Sequence, residues 1–216
     1  DLLKDVRIVG AGSDLTFLDG GNAARLFNVS LGAHLELVDL TARNGAAPDT
    51  GGCFDVYAAD LTLNSCIVTG CTALTSGGAI NASDESDVEV LRTMIAGNTA
   101  GSGGGLSVSS PGILRMVNSA VISNSATGSG GGVMATAALE VTNLTVAGNA
   151  ASAHGGGMYI SAPATGVLAN LTVASNVADF DNSGGGVGGG IRFDGAPAAI
   201  LRNSIIADNR VGSTGL

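Results

Sequence analysis

A pair or triplet of glycines followed by an apolar residue recurs six times along this chain. The motif begins at Gly51, Gly77, Gly103, Gly130, Gly155 and Gly188, so successive copies start 26, 26, 27, 25 and 33 residues apart. A second motif keeps step with it. A Val or Ile stands three residues ahead of Asn98, Asn124, Asn149, Asn176 and Asn209; Val68 stands likewise ahead of Cys71, and Thr41–Asn44 reads as a divergent earlier copy. Self-similarity at a period of 20–50 residues is the signature of a solenoid, a propeller or a repeat array.

The residues between the motifs choose among these. Val88 and Val90, Leu114 and Met116, and Leu139 and Val141 flank a polar residue each time: Glu89, Arg115 and Glu140. Alternation with period two marks a strand with one buried face. After the glycines a second short alternation follows, as in Leu106/Val108 and Met158/Ile160. Each repeat therefore holds about three short strands joined by tight corners, with no stretch of helical periodicity. Strands that stack on their own equivalents one repeat later make an all-β, parallel β-helix, right-handed by the rule for parallel crossovers. The whole of 1–216 reads as a single domain of about eight coils of 25–27 residues, a rod roughly 38 Å long, and as a segment of a longer protein. Equivalent asparagines lie roughly 4.8 Å apart in such a stack, close enough for their amides to bond to one another, so Asn98, Asn124, Asn149, Asn176 and Asn209 form a structural ladder. Cys71 fills the same interior slot in an earlier coil, and glycine supplies the corners.

At the Gly-Gly-Ala-Ile of 77–80 and the Val/Ile-x-x-Asn copies, the chain resembles the GGAI/FxxN repeats of chlamydial-type polymorphic membrane proteins. It is similar, more broadly, to repeats of the right-handed β-helix (pectate-lyase-like) superfamily, over roughly residues 35–210, with Val or Ile where the family repeat has Phe. The resemblance implies a secreted or cell-surface passenger region involved in adhesion, with a surface protein or glycan as partner. It carries over no catalytic residue.

Several motifs suggest chemistry and are absorbed by the repeat. His154-Gly155-Gly156-Gly157 has the form of an oxyanion-hole loop. It is copy five of the glycine motif, and no Gly-x-Ser-x-Gly supplies a nucleophile, so His154 reads as a solvated turn residue. Gly184, Gly186 and Gly189 match a dinucleotide fingerprint but open no helix. The net charge of −9 opposes binding to nucleic acid or anionic membranes. No apolar run reaches the ~18 residues that a membrane-crossing helix needs. No signal peptide is visible at Asp1, which reads as a processed start. Cys53, Cys66 and Cys71 fit neither a zinc site nor a disulfide framework and read as small buried apolar residues.

Two irregular segments hold the remaining candidates. The acidic turn 83–89 gathers Asp84, Glu85 and Asp87, with Glu89 after them, as a possible Ca²⁺ site; no other cofactor is implied. The segment 178–187 adds about seven residues to one Asn-to-Gly turn, and insertions in solenoids often mark the binding face. Asp179, Phe180, Asp181 and Asn182, with Asp194 near them, are the candidate ligand-binding residues. Four residues ahead of the ladder lies a small apolar row that includes Ile67, Met94, Ala120 and Ile205. Only Thr145 and Thr172 in it are threonines, too few for an ice-binding face. Four sequons occur, at Asn28, Asn81, Asn143 and Asn170; the last two share a position with Asn118 and Asn203 and read as structural. Three functions stay open: a non-enzymatic surface or secreted stalk or adhesive passenger; a polysaccharide-acting enzyme with its cleft near 178–194; and a filament subunit joined to neighbouring copies through end coils.

Overall fold

The computed structural model describes residues 1–212. Among them every regular element is a strand, and every strand pairing is parallel. The coil that starts at Gly130 shows the unit: Val133–Ala135, then Ala138–Ala147, then Ala150–Ala151. Each strand pairs with its counterpart one coil later. Val133 stands opposite Met158, Val141 opposite Leu168, and Ala150 opposite Val177. The strands collect into a fourteen-stranded sheet and two seven-stranded sheets. The chain is a parallel β-solenoid, as the period and the alternation predict.

It has about six turns rather than eight. Each smaller sheet has seven strands and hence six steps, from Phe27–Ser30 to Ile191–Asp194 and from Ala46–Ala47 to Arg210–Val211. The first 26 residues account for part of the difference. They add Val6–Val9 and Phe17–Asp19 to the large sheet but no strand to the other two, so they form an incomplete coil.

Alternation sorts side chains as expected. Val88, Val90, Leu114, Met116, Leu139 and Val141 are fully buried, each worth about 1.5–3 kcal/mol of apolar burial. Between them, on the outer face, Arg115 bridges Glu89 at 3.6 Å and Glu140 at 2.7 Å.

Three columns of left-handed residues turn the corners. One runs through Asp39, Ser65, Arg92, Asn118, Asn143 and Asn170, with φ between 48° and 58°. It bends the large sheet and often splits its strand in two, as between Asp87–Leu91 and Met94–Ala96. Asn143 and Asn170 are therefore corner residues, exposed, and the Asn143 amide donates to Asn118 Oδ1 at 2.7 Å. The sequon asparagine Asn81 is buried instead and donates to Asp55. The second column immediately precedes the ladder. The third is the first glycine of each motif. In the Gly130 coil the three glycines do three different things. Gly130 has φ +69°; a Cβ on Gly131 would stand 2.3 Å from the Gly156 carbonyl oxygen of the next coil; one on Gly132 would press on the Asn149 amide at 3.0 Å.

Two sequence readings need correction. Cys53 and Cys71 are joined by a disulfide, with Cα atoms 5.6 Å apart. Cys66 alone is free, and it is buried, as expected of a small apolar residue. In the four glycine-triplet coils the third motif position faces the ladder position of its own coil, as Gly105 faces Asn124 and Gly157 faces Asn176. In the coil that starts at Gly51 both positions are cysteine. The second correction concerns Asn44, which is not an early ladder residue. Arg43 aligns with Thr69, so Asn44 takes the corner of Gly70 at φ 54°, and Gly45 holds the interior slot against the disulfide.

Candidate functional site

The ladder is the most ordered polar feature. Asn98 Nδ2 donates to Asn124 Oδ1 at 3.0 Å, Asn124 to Asn149 at 3.0 Å, Asn149 to Asn176 at 2.9 Å and Asn176 to Asn209 at 2.8 Å. Each Oδ1 also accepts the backbone N–H of the preceding rung, as Asn149 Oδ1 does from Asn124 at 2.9 Å. The second Nδ2 proton goes to the carbonyl of the Val or Ile one coil back, as Asn149 does to Val121 at 2.9 Å. The column begins at Cys71, whose backbone N–H donates to Asn98 Oδ1 at 2.9 Å. All five predicted ladder residues are in it. They are inside the wall and do structural work.

The inserted segment leaves the coil after Val177–Ala178 and returns at Ile191–Asp194. Asp179 is buried and serves the loop itself: its Oδ1 accepts from the Gly184 N–H at 2.9 Å, and its carbonyl from Asn182 N–H at 3.0 Å. Half-buried Phe180 donates its N–H to Ala151. Asp181 is exposed, and the N–H of Ser183 holds its carboxyl below the ordinary range. Asp194 sits on the returning strand. Its Oδ2 accepts from Tyr159 Oη at 2.9 Å and its Oδ1 from Arg192 at 2.8 Å; these two partners lower its pKa. Burial, and then the bond to Asp194, push the Tyr159 hydroxyl up.

His154 joins the loop to this group, and its assignment as a solvated turn residue is corrected. It is half-buried, its ring lies 6.3 Å from that of Tyr159, and its Nδ1 accepts the Val187 N–H at 3.2 Å. The insertion and Asp194 are thus linked, through two residues the sequence reading left out of the site. Only Tyr159 carried a positional signal, as the neighbour of Arg192 in one outward column.

The acidic turn is arranged differently. Asp84 and Glu85 take left-handed backbone conformations in the turn, and Asp84 accepts from the Tyr57 hydroxyl, which raises that phenol's pKa. Asp87 opens a strand, where its Oδ1 accepts from Ile113 N–H at 2.9 Å. Among the described residues no three acids, histidines or cysteines gather as a metal site. A groove of about 260 Å³ lies instead over the strand openings, between His34, Asp60, Thr62, Asp87, Glu89 and Arg115. His34 Nε2 is 2.9 Å from Thr62 Oγ1 there. The sequence reading passed over this groove because its residues lie about 26 apart; the register places them side by side.

The small apolar row does form a column: Ile67, Met94, Ala120, Thr145, Thr172 and Ile205 align in successive coils, with Met94 and Ile205 exposed. No helix among the described residues is long and apolar enough to cross a membrane. No family model, curated protein or solved structure matches the chain.

Proposed function

We propose that this chain is a secreted or surface-exposed solenoid acting as an adhesive passenger or structural stalk, without enzymatic activity. In this reading its repeats are of the polymorphic-membrane-protein kind, within the pectate-lyase-like class of right-handed β-helices. The observation that carries it is the Cys53–Cys71 disulfide inside an otherwise regular coil. Disulfides form and persist in oxidising compartments, outside the cytosol. The use of the acids supports it too. Asp87 and Asp179 accept backbone N–H groups of the wall and the loop, and Glu89 and Glu140 pair with Arg115. The rim formed by Asp181, Asn182 and the Asp194 strand is the contact surface for a surface protein or glycan.

Two measurements test the reading. Titrated in denaturant without reductant, the exported protein should show one free thiol, Cys66; three would remove the argument for an oxidising compartment. Incubated with a panel of polyuronates, the protein should cause no rise in ultraviolet absorbance. A rise that Asp181→Ala abolishes would replace the stalk with a polysaccharide-cleaving enzyme, and concentration-dependent fibre growth would replace it with a filament subunit.

A further inference from the structure

We propose that His154 is a pH-sensitive latch, which holds the Gly185–Val187 arm of the inserted loop at neutral pH and frees it when the imidazole takes a second proton. The donor in the latch bond is a backbone N–H, that of Val187, so Nδ1 must present its lone pair. The neutral ring then carries its proton on Nε2. A second proton can go only to Nδ1, the atom that accepts the bond, and would turn an attraction into two opposed N–H groups. Histidine takes up that proton between about pH 5 and 8.

A side-chain acceptor at this position has a precedent one coil back, where the His154 N–H donates to Ser129 Oγ at 3.4 Å. Val187 occupies the position held by Ser102, Ser129 and His154 in earlier coils, immediately ahead of the glycines. Ser102 N–H donates to the Thr75 carbonyl one coil back at 2.7 Å. The equivalent carbonyl for Val187 is that of Ala153, and it is taken by the N–H of Asp179 at 3.2 Å. The imidazole replaces the lost acceptor.

The rest of the loop is built to let only one arm move. Its first half is pinned through Asp179 and Phe180. The second half starts from Gly184, whose N–H Asp179 Oδ1 holds at 2.9 Å, and turns through Gly185, with φ of +89° and +94° at the two and open space where a side chain would stand. Val187 keeps one further bond, from Gly155 N–H to its carbonyl at 3.0 Å, so the arm loosens without leaving the wall. The charged and titratable groups around the ring are Tyr159 on its own coil, Arg192 and Asp194 on the returning strand, and Asp179 and Asp181 on the loop. Asp194, already within electrostatic reach of the imidazole, offers the new cation a counter-charge.

Amide hydrogen exchange of the whole chain, read by NMR and corrected for intrinsic rates, tests the latch at about pH 7.5 and about pH 5.5. Protection of the Val187 amide should fall about tenfold or more at the lower pH, while Asn124 and Asn149 stay protected. His154→Ser, which installs the residue found at this position in neighbouring coils, should leave Val187 weakly protected at both values. Unchanged protection in the wild type, the same pH response in His154→Ser, or a ring nitrogen spectrum showing the neutral proton on Nδ1 would each overturn the proposal. If the Asn124 and Asn149 amides show that the variant is misfolded, the wild-type titration and the nitrogen spectrum decide alone.

Discussion

Asn149 uses every hydrogen-bonding position of its side chain: two donated bonds, to Val121 and Asn176, and two accepted, both from Asn124. Truncation therefore strands donors that no water reaches. Asn149→Ala should cost about 2–4 kcal/mol, since two buried donors on Asn124 lose their acceptor. Urea unfolding measures this, with half-exposed Asn209→Ala as the contrast of smaller effect; equal costs would mean that the ladder does not act through buried polar groups. At Tyr159 the question is one of charge. The hydroxyl and Arg192 depress the Asp194 pKa in the folded chain. Its stabilising contribution is thus present above the unfolded value, about 4, and is lost as pH falls through the lower folded one. Tyr159→Phe should move the Asp194 carboxyl titration upward, seen by carbon NMR, and shrink its share of the acid-induced loss of stability.

Within a single coil, two solutions fill one interior site. Most coils set a glycine against an asparagine; the Gly51 coil sets Cys53 against Cys71. Removing the cross-link with Cys71→Ala should cost about 3 kcal/mol for a loop of this length. The double change Cys53→Gly with Cys71→Asn rebuilds the common pair, placing a new amide where it can donate to Asn98 and toward the Ala42 carbonyl. It should recover part of that loss in thermal unfolding, and a double variant no more stable than the single one would show that the two pairs are not equivalent. The same coil shows what was legible beforehand. Strand alternation and the five ladder rungs were plain because burial enforces them at every repeat. The disulfide was missed because an 18-residue separation was judged along the chain, when the solenoid brings residues 17–19 apart face to face in coil after coil. Asn44 misled for a local reason: asparagine tolerates the left-handed corner as well as the interior, and here it took the corner. His154 was hidden by its neighbours' glycines, since its partner is supplied by an insertion 33 residues later.

At the scale of the molecule, each coil is buried only by the coils beside it, and stability is distributed accordingly. Ile113–Ile122 and Ala138–Ala147 lie mid-stack with their inward residues fully covered, whereas the inserted segment exposes Asp181 and Val187. Hydrogen exchange should therefore run slowest in the two long strands and faster in the inserted segment 179–187. A uniform rate along the stack would mean that the coils open together. The insertion at 179–187 carries a wider consequence. One extra residue inside a strand would turn its inward side chains to solvent, yet here some seven extra residues leave the next coil in register, with Met158 still opposite Ile191. The largest variation in length falls in one seam down the flank, where the chain has left the ladder and not yet met the glycines; the corner ahead of the large sheet varies by only two residues, between Val108–Leu114 and Ala135–Leu139. Foreign peptides grafted along that line would be displayed at intervals set by the stack itself, each coil offering a berth that its neighbours need not notice.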